Sequence, residues 1–231
     1  MEIYMGIDKA KLAGMIEHTL LGDNIDEKRL LAHLDEAKEL QVFGVCIPLA
    51  WVPLAKKYLS NTHIKVITVI DFPHGNKSSA QKAHEAQLAA SLGADEIDMV
   101  LDYEALRNKN YEKALRDITL VLEAARPIPI KVIVETSALS KEQLVCATTL
   151  VALSKAQFIK TSTGFHQAGA QSHDIELMRA LLPIDIQIKA SGGIRNYAQA
   201  CSMIQAGASR IGASQSRQIL RDILENTHAC Y

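Results

Sequence analysis

Residues 128–162, "IPIKVIVETSALSKEQLVCATTLVALSKAQFIKTS", contain two short apolar runs on either side of a longer helical pattern. The first run closes on Glu135 and Thr136, the second on Lys160, Thr161 and Ser162. Between them, Ser140 and Gln143 have the spacing of a helix capping box. A strand, a helix and a second strand in this order make a parallel pair joined by a right-handed crossover.

The same unit recurs in both directions along the chain. Further strand-like runs are "MIEHTLL" (15–21), "VFGVCI" (42–47), "IKVITVI" (64–70), "DEIDMVL" (95–101), "IQIKAS" (186–191) and "SRIGAS" (209–214). The first is the weakest, because Glu17 and His18 interrupt it. Helical patterns fill most of the gaps. In "IDEKRLLAHLDEAKELQ", Leu30, Leu31, Leu34, Ala37 and Leu40 form one stripe. "SSAQKAHEAQLAASLG" opens on capping serines and stops at Gly93. "YEKALRDITLVLEAARP" stops before Pro127, and "SHDIELMRALLP", "NYAQACSMIQAG" and the segment 214–224 complete the set. No proline- or serine-rich linker divides the chain, and no GxGxxG fingerprint of an open dinucleotide-binding sheet is present. Eight strands predict a single α/β domain over residues 1–231, a (β/α)8 barrel with a short N-terminal helix.

Composition sets the outer bounds. The 231 residues are 48% hydrophobic and 22% charged, with a formal net charge of −1, an ordinary balance for a soluble protein. Such mixed charge argues against nucleic acid or an anionic membrane as a partner. Cys46, Cys146, Cys201 and Cys230 show no CxxC spacing, as expected of reduced thiols in the cytosol. The N-terminus has no signal-peptide pattern, and no apolar run approaches the roughly 20 residues that span a bilayer. A cytoplasmic protein is expected.

Active sites of such barrels lie at the C-terminal ends of the strands. The groups predicted there are Cys46, Asp98 with Glu96 on the same face, Glu135, Lys160, Lys189 and the "GAS" turn at 212–214. Lys160 and Lys189 end adjacent strands, each before a small, hydroxyl-rich turn. A strand-end lysine on its own usually reaches to water with its charged tip. Two together, partly desolvated, depress each other's ammonium form, and a free amine attacks carbonyls to give a Schiff base. Asp98 is the best-placed carboxylate for the accompanying proton transfers. Which lysine attacks is left open by these residues. "ASGGIR" and "IGAS" place Gly192, Gly193, Arg195, Gly212 and Ser214 after the seventh and eighth strands, a recurrent phosphate position in barrels. The eight histidines show no metal-ligand spacing, so no metal is expected. A phosphosugar isomerase using Asp98 or Glu135 as base, or a barrel that only binds sugar phosphates, are the alternatives.

At these residues the sequence resembles the deoxyribose-phosphate aldolase family over nearly its whole length. "IEHTLL", "VCIPLAWV", "DFPHGN", "ADEIDMVL", "KVIVETSAL", "FIKTSTGF", "IKASGGIR" and "RIGAS" follow the family's signature blocks in order. The resemblance implies a class I aldolase that cleaves 2-deoxy-D-ribose 5-phosphate to D-glyceraldehyde 3-phosphate and acetaldehyde in deoxyribonucleotide catabolism. It implies Lys160 as the Schiff-base lysine, Lys189 as the neighbouring cation and Asp98 as the proton relay. It also implies Thr161, Ser162 and Thr163 near the substrate, the glycine-rich turns with Arg195 and Ser214 around its phosphate, no cofactor, and a homodimer or homotetramer. Glu17 stands where members typically have aspartate, and Pro48, Asp71 and Gln215 also depart from the usual pattern. Glu17 and Cys46 are further candidates for the site. Tyr231 is another, since some members also end in tyrosine and such a tail would fold over the barrel mouth.

Overall fold

In the computed structural model, which describes residues 7–166 and 168–227, all eight apolar runs become strands. These are β1 (Ile16–Thr19), β2 (Gly44–Ile47), β3 (Lys65–Ile70), β4 (Glu96–Val100), β5 (Ile130–Ile133), β6 (Phe158–Lys160), β7 (Gln187–Ser191) and β8 (Arg210–Ala213). Each pairs in parallel with its neighbours in sequence, and β8 closes onto β1, so the sheet is a complete barrel. Strand β6 is shorter than its apolar run. Beyond Lys160 the Thr161 hydroxyl takes over, donating to the carbonyl of Ser191 at 3.0 Å and accepting from its N–H at 3.0 Å.

The helices are α1 (Lys9–Ala13), α2 (Glu27–Leu40), α3 (Val52–Tyr58), α4 (Ser79–Ser91), α5 (Tyr103–Arg107), α6 (Tyr111–Ala125), α7 (Lys141–Ser154), α8 (Ser172–Leu181), α9 (Tyr197–Gln205) and α10 (Ser216–Thr227). Capping boxes form at Ser78 with Gln81 and at Ser140 with Gln143, so the sequence signals at these two starts are real. Helices α3 and α5 are additions to the sequence reading. With seven and five residues, neither is long enough for an apolar stripe to repeat. Helix α3 nevertheless supplies the crossover from β2 to β3.

Side chains alternate across each strand, and the barrel uses its two faces differently. The outward set, including Ile97, Met99, Ile130, Val132, Ile159, Ile188 and Ile211, joins the buried faces of the helices in one large core. The inward set divides by sector. Cys46, Ile67 and Val69 make a small apolar cluster on β2 and β3. The remaining strands direct Glu17, Asp98, Lys131, Lys160, Lys189 and Arg210 inward. The register sets their heights, since Lys160 lies opposite Lys189 and Asp98 opposite Lys131.

The two polar residues that weaken the first run therefore separate by face. Glu17 enters the barrel, while His18 faces the helix layer and stacks on His33 with centroids 3.8 Å apart. The His18 Nδ1 lies 2.8 Å from the Ser216 hydroxyl.

Candidate active site

Asp98 is the hub of the barrel interior. Lys160 and Lys189 both donate to its Oδ2, at 2.8 and 2.7 Å, and Lys131 donates to its Oδ1 at 2.8 Å. Lys189 also pairs with Glu17, and Lys131 lies 2.7 Å from Glu96 and 3.5 Å from Glu17. Arg210 completes the lower end at 3.1 Å from Glu17 and 3.3 Å from Glu96, with its guanidinium 3.4 Å over the Phe43 ring. Four cations thus meet three carboxylates inside the barrel.

Burial opposes ionisation of Asp98, but Lys131, Lys160 and Lys189 together hold its carboxyl well below the usual range. Glu17 is lowered in the same way, with burial outweighed by Lys131 and Lys189. Burial also works against the Lys189 ammonium, and the charges of Asp98 and Glu17 reverse that effect and raise its pKa. Lys131 is raised for the same reasons. Lys160 differs from both in its partners. Its one carboxylate is Asp98, whereas Lys189 has two and Lys131 three.

Lys160 is also the lysine that reaches a cavity. A space of about 680 Å³ at the barrel mouth is lined by Lys160, by Thr163, Gly164 and Phe165 after β6, and by Gly192, Gly193 and Arg195 after β7. Gly212 and Ser214 at the end of β8 complete the predicted part of its wall, and Gln215 lines it beside them. Gly192 and Gly193 have φ of +89° and +73°, the left-handed region that favours glycine. At Gly212 an added Cβ would stand 2.9 Å from Ser191 Cβ and 3.0 Å from Lys189 Cε.

Thr161 and Ser162, expected near the substrate, are fully buried directly after Lys160 and do not line this cavity. They brace β6 against β7, with the Ser191 hydroxyl donating to the Ser162 carbonyl at 2.6 Å. Glu135 braces as well. Its Oε2 accepts from the Thr163 N–H at 3.0 Å and from the Thr163 hydroxyl at 2.6 Å. Cys46 sits fully buried beside the charged cluster, where desolvation pushes its thiol up to about 11, so it is no thiolate nucleophile at neutral pH. Glu17, Cys46 and Asp98 bring three ligand-type atoms within 4.8 Å of one another. Ammonium groups already engage both carboxylates, and a divalent cation would have to displace them. Tyr231 lies outside the described residues.

Two contributors escaped the sequence reading. Lys131 repeats the "IK" pattern of the other two lysines, but inside its strand rather than at the end. That repetition is the signal that could have found it. Arg29, from the start of α2, lines the cavity with no sequence motif around it. A separate buried lysine, Lys82 on α4, plays no part in the cavity. It donates to the carbonyls of Val100 (2.9 Å) and Gly75 (3.2 Å) and to Asp117 (2.7 Å), with Asp71 at 3.3 Å.

The chain is similar to known proteins along nearly all of its length. The family model described as DeoC/LacD family aldolase matches residues 16–222. A deoxyribose-phosphate aldolase of Clostridium botulinum is 43% identical over 91% of this chain and 100% of its own. Among solved structures, a putative deoxyribose-phosphate aldolase from Coccidioides immitis superposes with a TM-score of 0.92 at 36% identity, covering 96% of this chain and 88% of the other. The deoxyribose phosphate aldolase of Aeropyrum pernix, described as a unique tetramer, gives 0.87 at 25% identity, covering 95% and 93%. A barrel with this lysine cluster, matched by that family over this span, makes the chain a member of the DeoC/LacD family of aldolases.

Proposed function

We propose that this chain is a Schiff-base aldolase that reversibly cleaves 2-deoxy-D-ribose 5-phosphate to D-glyceraldehyde 3-phosphate and acetaldehyde, a step of deoxyribonucleotide breakdown. One observation carries the reading. Lys160 is the one cluster member that both opens on the mouth cavity and has a single carboxylate partner. With four cations against three carboxylates, the interior is electrically balanced when one amine is uncharged. Lys160, held by the fewest carboxylates, is the amine best placed to meet a carbonyl in the cavity.

The chemistry then runs as follows. The Lys160 amine adds to the C1 aldehyde, and the carbinolamine loses water to give an iminium. Removal of the C3 hydroxyl proton breaks the C2–C3 bond. The C3–C5 fragment leaves as glyceraldehyde 3-phosphate, and C2 receives the electron pair as an enamine carbon. Protonation at C2 and hydrolysis release acetaldehyde and restore the amine. Asp98, held as a carboxylate, is the acceptor around which water carries these protons. Lys189, whose ammonium is stabilised by Glu17 and Asp98, remains the fixed positive charge beside the reacting nitrogen. The turns at 192–195 and 212–214 receive the phosphate through backbone N–H groups. The described tetramer of the Aeropyrum pernix relative supports a homo-oligomer for this chain as well.

Borohydride reduction in the presence of acetaldehyde tests the reading. The expected result is a stable adduct at Lys160, located by peptide mass mapping, together with turnover of 2-deoxyribose 5-phosphate that a chelator leaves unchanged. Turnover without any trapped lysine would favour a non-covalent base mechanism instead.

A further inference from the structure

The wall of the mouth cavity has an unusual charge inventory. Arg29, Lys160 and Arg195 line it, and no aspartate or glutamate does. Lys160 is directed to Asp98 on the barrel floor, which leaves two guanidinium groups above. Among the described residues, neither of these is paired with a carboxylate. Their recorded hydrogen bonds run through the backbone, from Arg29 N to Asp26 at 2.8 Å and from Arg195 N to Gln199 at 2.8 Å. Three other arginines are paired with carboxylates, Arg107 among them with Glu104. Arg210 is shared by Glu17 and Glu96, and Arg217 by Glu36 and Glu39.

Arg195 follows β7, Arg29 follows β1, and β8 lies between those two strands in the closed barrel. The two guanidiniums therefore stand on either side of the β8 turn, where Ser214 and Gln215 also face the cavity. We propose that Arg29 is a specificity-determining residue: with Arg195 it grips the terminal phosphate dianion of the substrate, and it favours the phosphorylated sugar over its neutral counterpart. This assignment rests on the reaction proposed above. A guanidinium offers a planar fork of donors that matches phosphate oxygens, and a charge-assisted contact of this type discriminates strongly against a hydroxyl in the same place. Because Arg29 is exposed in the free protein, solvent screens part of that effect.

The experiment compares the full chain with its Arg29→Gln and Arg29→Lys variants. Steady-state constants are measured for 2-deoxyribose 5-phosphate and for 2-deoxyribose, and inorganic phosphate is titrated by calorimetry. In Arg29→Gln the ratio of kcat/KM for the phosphorylated over the neutral sugar is expected to fall about tenfold or more. The loss should appear in KM rather than kcat, with a similar fold weakening of phosphate binding, and Arg29→Lys should recover part of both. An unchanged ratio with unchanged phosphate affinity overturns the assignment. So does an equal loss with both sugars, which would mark a merely structural role. Should the parent chain fail to turn over the phosphorylated sugar, the reaction assignment fails. The phosphate titration of parent and variant would still decide what Arg29 does.

Discussion

Lys82 and Lys160 are both withdrawn from water, yet their surroundings differ in kind. Lys82 lies under the turn after β3, with two backbone carbonyls and Asp117 in hydrogen-bond contact and Asp71 nearby. Every donor of that ammonium has an acceptor, and the side chain is fully buried. Lys160 shares one oxygen of one carboxylate with a second ammonium, and its remaining side opens on the mouth. Burial is common to both. What separates this fastener from the proposed nucleophile is the number of acceptors around the nitrogen and whether a carbonyl can approach it.

The largest effect is expected where the two sites are exchanged as targets. Lys160→Ala should abolish turnover by at least about 10³-fold, as loss of a covalent nucleophile does. It should cost little stability, because three cations then face three carboxylates in the interior. Lys82→Met should do the reverse. Stripped of their counter-ion, Asp71 and Asp117 become uncompensated buried charges, at a cost of about 3–5 kcal/mol, while kcat per folded molecule stays within about twofold. Urea unfolding and steady-state assays on both variants check this, and stability losses of equal size would break the distinction.

Lys189→Leu sharpens the comparison from within the cluster. It removes the fixed charge next to Lys160 and leaves Glu17 with fewer partners. Activity at neutral pH should drop about 10- to 100-fold and the pH optimum should move to higher pH. A pH–rate profile that keeps its shape would count against the coupling of the two lysines.

A smaller effect is expected at a third kind of buried base, one kept neutral. Desolvation, with help from Arg217, lowers His18 to about 4, and desolvation with His18 beside it lowers His33 to about 3. Both folded values lie below the unfolded value of about 6.5. Below that pH the unfolded chain takes up protons that the native chain does not, so stability falls as the solution is acidified toward pH 4. At pH 5 each imidazole accounts for a loss on the order of 2 kcal/mol. Thermal melts at pH 7 and pH 5 should differ by less in His33→Leu than in the parent.

The barrel could be read from the sequence because parallel strands are buried on both faces, which concentrates apolar residues into short runs that stand out even when a lysine interrupts them. Helix α3 left no such trace, being too short for a periodic stripe. The candidate site was legible wherever a polar group or a glycine turn ended a strand, as at Lys160, Lys189 and the turns that line the cavity. Lys131 was not, because a charge in mid-strand reads as an irregularity until the register sets it opposite Asp98. Arg29 was not, because it enters the cavity from a helix 131 positions before Lys160, and only closure of β8 onto β1 brings the two together. Composition also could not say which lysine attacks. The proposed assignment to Lys160 rests on counting carboxylates around each nitrogen.

Gly212 carries a consequence for anyone reshaping this catalyst. Its missing side chain is the room in which the Lys189 stem lies, so even a methyl there would push that stem and Ser191 aside. Efforts to widen the range of accepted aldehydes therefore have one rim of the barrel closed to them. They are best begun elsewhere on the mouth wall, at Leu20, Leu21 and Phe165, which line the cavity and take no part in the ammonium cluster.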